Sequence, residues 1–240
     1  LVRGYTQGAD RRVADMHVVS VSARARGELA AVPREERARP SDEVAHALAV
    51  RLLTRPEFEV LSAVICTTSV LVMNKLVNIL GGKVEFEDGI LKINNKSIKK
   101  FKAPYELVKT MRASVYVMGA LLGRYGKAEV ALPGGCVIGE RPINLHLNGF
   151  EKLGAKIEIE HGYIKATAKK LTGAEIHLDV VSVGATANIM MASVFADGET
   201  TIKNAALEPH IVDLGKFLKK IGANIKGLGT REIKIKGVSE

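Results

Sequence analysis

The stretch Leu153-Gly154-Ala155-Lys156-Ile157-Glu158-Ile159 decides the fold, because the chain holds two further versions of it. These are Leu80-Gly81-Gly82-Lys83-Val84-Glu85-Phe86, 73 residues earlier, and Ile221-Gly222-Ala223-Asn224-Ile225-Lys226, 68 residues later. Glycine directly after an apolar helical segment predicts a left-handed helix cap. The alternating apolar residues that follow predict a half-buried strand. The sequence therefore predicts a structural unit that repeats about every 70 residues.

Outside these stretches the pattern extends to a unit of helix, strand, helix, strand, strand. The periodicity around the three stretches predicts helices over 73–80, 145–153 and 211–221, and second strands over 90–93, 163–166 and 232–235. Two more apolar helices, 106–125 and 184–196, end near Gly126 and Gly198 and lead into strands at 128–132 and 200–204. The helix over 184–196 is apolar almost all round apart from Asn188, so it should be buried. We therefore predict an α+β fold of two full units and one half unit, with helices inside and sheets outside.

The use of basic residues divides the chain near residue 73. Residues 1–73 contain 10 Arg and no Lys, whereas residues 74–240 contain 21 Lys and 4 Arg. Both side chains suit a solvated surface, so this change indicates a different coding origin. We predict that residues 1–73 are an atypical segment, out of frame or fused, and that 74–240 form the folded domain. A continuous reading frame with homologous sequence upstream would instead indicate a genuine Arg-rich extension.

Composition excludes several classes of protein. No run of about 18 uncharged apolar residues is present, which argues against a membrane span. Two cysteines are too few for a disulfide framework and indicate a reducing compartment such as the cytoplasm. Residues 74–240 carry 25 basic and 17 acidic residues and so account for +8 of the net charge of +9. This excess suits a phosphorylated small molecule; the interleaved aromatic and basic residues of nucleic-acid binders are missing. The histidines lack the spacing of metal ligands.

The segment best suited to chemistry is Leu132-Pro133-Gly134-Gly135-Cys136-Val137-Ile138-Gly139-Glu140-Arg141-Pro142-Ile143. It lies between a predicted strand and a predicted helix, and its three glycines suit a mobile lid. Arg141, five residues from Cys136, can lower the pKa of the thiol. Cys136 could then act as a nucleophile or a proton donor. The alternative is a buried, inert cysteine, which is our interpretation of Cys66.

Two further positions suit an anion. Ser182-Val183-Gly184 opens a buried helix, where a Ser cap and free N–H groups favour phosphate. Aligning Gly126 with Gly198 places Arg112 opposite Gly184 in the repeat. Arg112 and Arg141 could both contact phosphate oxygens; the alternative for each is a solvated surface residue.

These features together resemble the UDP-N-acetylglucosamine 1-carboxyvinyltransferase branch of the enolpyruvyl transferase family. The resemblance covers about residues 73–240 and is carried by Lys109-Thr110-Met111-Arg112-Ala113-Ser114, the 132–143 loop and Val181-Ser182-Val183-Gly184-Ala185-Thr186. The Pro-Gly-Gly-Cys loop separates this branch from the related 5-enolpyruvylshikimate-3-phosphate synthase. The resemblance implies an inside-out α/β barrel domain with an incomplete first repeat.

The resemblance also implies a reaction. The enolpyruvyl group of phosphoenolpyruvate moves to the 3′-hydroxyl of UDP-N-acetylglucosamine, without metal or cofactor, in the first committed step of peptidoglycan synthesis. Cys136 corresponds to the catalytic thiol, which protonates the methylene carbon, forms an adduct with phosphoenolpyruvate and reacts with the inhibitor fosfomycin. The implied substrate contacts are Arg112, Arg141, Pro142, Ile143, Asn144, Leu145, Val181, Ser182, Val183 and Gly184.

The chain departs from the family pattern at several points. Asn144 stands where Asp is common, and Val180 where some members have Lys. No Lys precedes Lys75, so the phosphoenolpyruvate-binding Lys of the first repeat is missing, and we expect the second domain to be absent. We therefore predict a form with little or no transferase activity. The alternatives are a non-catalytic UDP-sugar-binding module, the shikimate-pathway reaction or RNA 3′-phosphate cyclisation on the same fold.

Overall fold

A computed structural model describes residues 68–87, 90–109, 112–132 and 143–238 of the 240-residue chain. The helices are α1 (Thr68–Leu80), α2 (Tyr105–Val108), α3 (Tyr116–Tyr125), α4 (Asn144–Lys152), α5 (Val183–Ser193) and α6 (Pro209–Lys220), with a 3-10 helix at Arg112–Val115. The strands are β1 (Lys83–Glu87), β2 (Ile90–Asn94), β3 (Lys102–Ala103), β4 (Lys127–Ala131), β5 (Lys156–Glu160), β6 (Tyr163–Thr167), β7 (Glu175–His177), β8 (Glu199–Lys203), β9 (Asn224–Lys226) and β10 (Glu232–Lys236).

The three glycine caps predicted from the repeat are confirmed. Gly81, Gly154 and Gly222 have φ values of 104°, 88° and 107°. After each helix the glycine N–H donates to the carbonyl three residues earlier, and the next N–H to the carbonyl five residues earlier; for α4 these bonds are Gly154 N to Glu151 O at 2.9 Å and Ala155 N to Phe150 O at 3.0 Å. This is the Schellman motif, which turns the chain sharply from helix into strand. Gly126 and Gly198, near which the other two predicted helices end, also have positive φ.

Two four-stranded sheets have the same topology. Their strand orders are β3-β4-β6-β5 and β7-β8-β10-β9. In each sheet the first pair is parallel and the other two pairs are antiparallel. The hairpin of β1 and β2 matches the second half of a unit. The two full units and one half unit are therefore present, and the missing first half would lie mostly outside the described residues.

The core lies between the helices, with the sheets outside. Residues 185–193 of α5 are all buried, and α5 packs against α3, α4 and α6. In β10, Ile233 and Ile235 face the core while the charged residues between and beside them are exposed. Each sheet needs only one apolar face to pack against the core, because the helices cover only its inner side. The predicted α+β architecture with internal helices is confirmed.

Two predictions of local structure were wrong. The expected single helix over 106–125 is divided into α2, the 3-10 helix and α3. The boundary between the 3-10 helix and α3 coincides with hydrogen bonds from Asn188 of α5, described below, that no local pattern encodes. The short strands β3 and β7 were missed because two or three residues cannot show an alternation; they form through parallel pairing with β4 and β8.

No helix in the described part of the chain is both long enough and apolar enough to cross a membrane. Within the same residues, no group of three or more His, Cys, Asp or Glu side chains could hold a metal ion.

Candidate active site

The start of α5 is a helix terminus capped by Ser182. Ser182 has an extended backbone, and its Oγ accepts a hydrogen bond from Ala185 N at 3.2 Å. Thr186 Oγ1 donates to Ser182 O at 2.7 Å and accepts from Ala206 N at 3.1 Å, which holds the first turn in place. The first turn contains no acidic residue. The first N–H groups of a helix have no intrahelical acceptor, so this terminus presents donors and a positive dipole end.

The residues around this terminus differ in exposure. Val183 and Gly184 are half-buried, whereas Val181 is 38% exposed and Val180 is 66% exposed. The predicted contact residues Val181, Ser182, Val183 and Gly184 are therefore at least partly accessible to solvent.

The start of α4 forms a second part of the site. Ile143 is the N-cap residue of this helix and is half-buried, as is Leu145, whereas Asn144 is exposed. Arg141, Pro142 and Cys136 lie outside the described residues, with the rest of the 133–142 segment. The side chain at the Asn144 position therefore faces solvent, which keeps it available to a ligand.

The third part is the 3-10 helix that leads into α3. Arg112 opens this helix; its side chain lies outside the described part of the structure. Ser114 is completely buried, and its Oγ has no hydrogen-bond partner among the described residues. A buried hydroxyl without a partner carries a free-energy cost, so this turn is held in place by its surroundings.

Asn188 of α5 joins all three parts. Its Oδ1 accepts a hydrogen bond from Gly119 N at 2.9 Å, and its Nδ2 donates to Val115 O at 3.2 Å. In an ideal helix these two backbone groups would bond to each other. Asn188 Nδ2 also lies 2.8 Å from His146 Nδ1 on α4. One buried amide therefore connects α5 to α4 and to the junction of the 3-10 helix with α3.

His146 faces the start of α5. A Cβ atom on Gly184 would lie 3.1 Å from His146 Cε1, 3.2 Å from Nε2 and 3.6 Å from Tyr116 Oη. Burial lowers the pKa of His146 from 6.5 to about 4, so the imidazole is neutral near pH 7. The structure therefore brings three predicted segments together: the 3-10 helix begun by Arg112, the start of α4 and the start of α5.

The sequence-based site omitted His146 and Tyr116. His146 directly follows the predicted contact Leu145, but the histidines were considered only as metal ligands. The partner of His146 is instead the amide of Asn188. The available signal was Asn188, a polar residue in a helix that is otherwise apolar, since a buried amide needs hydrogen-bond partners.

Comparison with known proteins agrees with this fold. The family described as EPSP synthase (3-phosphoshikimate 1-carboxyvinyltransferase) matches residues 52–240, and the chain belongs to this family. A protein from Caldanaerobacter subterraneus subsp. tengcongensis named UDP-N-acetylglucosamine 1-carboxyvinyltransferase 1 is 60% identical over 169 residues, which are 70% of this chain and 40% of that protein. One named UDP-N-acetylglucosamine 1-carboxyvinyltransferase 2, from Carboxydothermus hydrogenoformans, is 55% identical over 173 residues, 72% of this chain and 41% of that protein. The chain thus spans about 40% of the length of these relatives.

Solved structures show the same fold at low sequence identity. The enolpyruvyl transferase NikO from Streptomyces tendae superposes with a TM-score of 0.67 at 19% identity, over 82% of this chain and 47% of that chain. The EPSP synthase from Acinetobacter baumannii superposes with a TM-score of 0.64 at 18% identity, over 82% of this chain and 46% of that chain. The fold is therefore that of the enolpyruvyl transferases.

Proposed function

We propose that this chain is the part of a UDP-N-acetylglucosamine 1-carboxyvinyltransferase that carries the Cys loop and the nucleotide-binding helix start. The observation that carries the proposal is the convergence of the start of α5, the start of α4 and the 3-10 helix around His146 and Asn188. In this proposal the backbone N–H groups at the start of α5 and the guanidinium groups of Arg112 and Arg141 bind the diphosphate. The names of the relatives support UDP-N-acetylglucosamine as the nucleotide sugar.

In the proposed reaction the 3′-hydroxyl of the sugar gives its proton to a base and its oxygen bonds to C2 of phosphoenolpyruvate, while a proton is added to the C3 methylene carbon. Phosphate then leaves C2 and the C3 methyl group loses a proton, which forms the double bond of the enol ether. Cys136 supplies the proton to the methylene carbon. The substrates are held by Arg112, by residues 141–145 and by residues 181–184. The site requires no metal or cofactor. A site for two anions needs walls on both sides. The chain spans about 40% of its relatives, and we propose that these 240 residues by themselves bind the nucleotide sugar but turn over weakly or not at all.

Activity is tested by phosphate release from phosphoenolpyruvate and UDP-N-acetylglucosamine, with calorimetry of nucleotide-sugar binding to the same protein. We expect binding with little or no release. Turnover of about 1 s⁻¹ or faster would contradict the expected inactivity. Binding without any turnover supports the alternative of a UDP-sugar-binding module.

Fosfomycin tests the role of Cys136. Attack of the thiolate sulfur on the epoxide carbon breaks the C–O bond, and the oxygen takes up the proton. We expect one adduct per chain, at Cys136, seen as a mass increase in peptide mapping. Cys66 is the internal control, and Cys136→Ser should abolish labelling. Labelling of both cysteines equally, or of neither, would instead favour another reaction on this fold.

The division near residue 73, with residues 1–73 atypical and 74–240 as the folded domain, stays a prediction. So does the location in the cytoplasm.

A further inference from the structure

The first helix of a unit begins differently in the two full units. In the later unit, α5 is an α-helix from Val183 onward, and its first turn closes through the bond from Thr186 N to Ser182 O at 2.9 Å. In the earlier unit, the equivalent segment begins as the 3-10 helix Arg112–Val115 and becomes the α-helix α3 only at Tyr116. The repeat alone therefore does not produce the 3-10 start, which must come from contacts that the two units do not share.

The side chain of Asn188 makes such a contact. Its Oδ1 accepts a hydrogen bond from Gly119 N at 2.9 Å and its Nδ2 donates to Val115 O at 3.2 Å, so one amide bonds to both ends of the first turn of α3. Asn188 is completely buried, and a Cβ on Gly119 would lie only 2.4 Å from Asn188 O. A side chain that enters the hydrogen-bond ladder of a helix distorts the helix at that point. The change from 3-10 to α geometry lies at this contact.

The 3-10 helix carries a free-energy cost of its own. Its hydrogen bonds have poorer geometry than those of an α-helix. Ser114 is completely buried, and its Oγ has no hydrogen-bond partner among the described residues. A buried hydroxyl without a partner costs free energy. The segment therefore keeps its shape because contacts from outside it, such as those of Asn188, hold it.

The 3-10 geometry also sets where residue 112 lies. A 3-10 helix turns about 20° more and rises about 0.5 Å more per residue than an α-helix. Over the three steps from Val115 back to Arg112, this amounts to about 60° around the helix axis and about 1.5 Å along it. A substrate-binding group misplaced by about 1 Å can cost about a hundredfold in rate. A return of this segment to α geometry would therefore move Arg112 far enough to weaken a substrate contact.

We propose that Asn188 is a positioning residue: it fixes the junction at Val115 and Gly119, and thereby holds Arg112 where it binds the substrates. This inference rests on the proposed function, in which Arg112 helps to hold the substrates. It adds a residue from the other full unit of the repeat, which sets the geometry of the arginine from a completely buried position.

A double-mutant cycle tests this inference. Calorimetry of the full chain measures the affinity for UDP-N-acetylglucosamine of Asn188→Ala, Arg112→Ala and the double variant. We expect each single substitution to weaken binding by about tenfold or more. The double variant should bind about as weakly as Arg112→Ala, because a misplaced arginine has no contact left to lose. The matched control is Ser193→Ala, another buried polar residue of α5, whose Oγ donates to Ile189 O of the same helix at 2.7 Å. It should bind as tightly as the unmodified chain.

Hydrogen exchange provides a readout that needs no substitution at Asn188. Coupling between two sites is reciprocal, so a ligand held by Arg112 must in turn stabilise the junction that positions Arg112. We expect UDP-N-acetylglucosamine to slow the exchange of Gly119 N–H more than that of the amides of β10. In Arg112→Ala, at equal saturation with the ligand, the exchange of Gly119 N–H should slow no more than that of β10.

The outcomes separate the inference from the proposed function. Binding of UDP-N-acetylglucosamine with additive losses in the cycle, with full affinity in Asn188→Ala or with equal losses in Asn188→Ala and Ser193→Ala would overturn the inference alone. If Asn188→Ala does not fold, the exchange of Gly119 N–H decides, because equal slowing at Gly119 and in β10 overturns the inference. Absence of binding to the unmodified chain would overturn the proposed function together with the inference.

Discussion

Replacing Gly119 with alanine is expected to lower the free energy of unfolding by about 3 kcal/mol. The new Cβ would lie 2.4 Å from Asn188 O and 2.6 Å from Asn188 Oδ1. The first of these atoms is backbone in the middle of α5, so relief requires α3 and α5 to separate. Overpacking of this kind costs about 1–3 kcal/mol, and strained hydrogen bonds of the buried Asn188 add to it. The better helix propensity of alanine, up to about 1 kcal/mol, offsets only part.

Chemical denaturation of the full chain measures this effect, with Gly154→Ala as the control. A Cβ on Gly154 would meet no atom within 4 Å, so its cost is limited to a left-handed backbone, about 1–2 kcal/mol. If Gly119→Ala proves as stable as the unmodified chain, the close crossing of α3 and α5 is wrong.

Acidification is expected to destabilise the fold through His146. The pKa of this residue is about 4 in the folded chain and 6.5 as its ordinary value. Between these values the unfolded chain binds the proton and the folded chain does not, so stability is lost as the pH falls. The two pKa values differ by roughly 2.5, which corresponds to about 3 kcal/mol of the free energy of unfolding. This stabilisation is present above pH 6.5 and is lost by about pH 4.

Urea unfolding at several pH values between 4 and 7 measures this loss. His146→Gln should remove it, while His177→Gln should keep it, because His177 is exposed on β7. Carboxylates such as Glu160 and Glu175, whose pKa values are lowered first by hydrogen bonds from Lys165 and Lys203, are the same in the unmodified chain and in His146→Gln; in His177→Gln, Glu175 also loses the smaller lowering of its pKa by His177. The difference between the curves therefore isolates His146; parallel curves for His146→Gln and the unmodified chain would refute the assignment.

The repeat could be predicted from sequence because it depends on local rules. Gly81, Gly154 and Gly222 each adopt a positive φ that costs other residues free energy, so the caps are visible in the sequence. The alternation of apolar and polar residues likewise predicted strands such as β6 and β10, because one face of each sheet is buried. The strands β3 and β7 could not be found, because they exist only through parallel pairing with distant partners.

The candidate site was predictable only in part. The Ser182 cap and the Gly184 that follows it have a local signature, and the Cys136 loop and its arginines resemble a known family. The contacts among Gly119, Asn188 and His146 join residues 69 and 42 positions apart in the chain. Sequence spacing carries no information about such distances.

The amino-acid sequence by itself determined most of the helices and strands, the glycine caps and the family, because propensity and period act over a few neighbouring residues. Only the tertiary structure decided where the 3-10 helix meets α3 and that His146 of α4 faces the start of α5. One buried amide, that of Asn188, contacts both places, and its hydrogen-bond partners are supplied by packing between helices far apart in the chain.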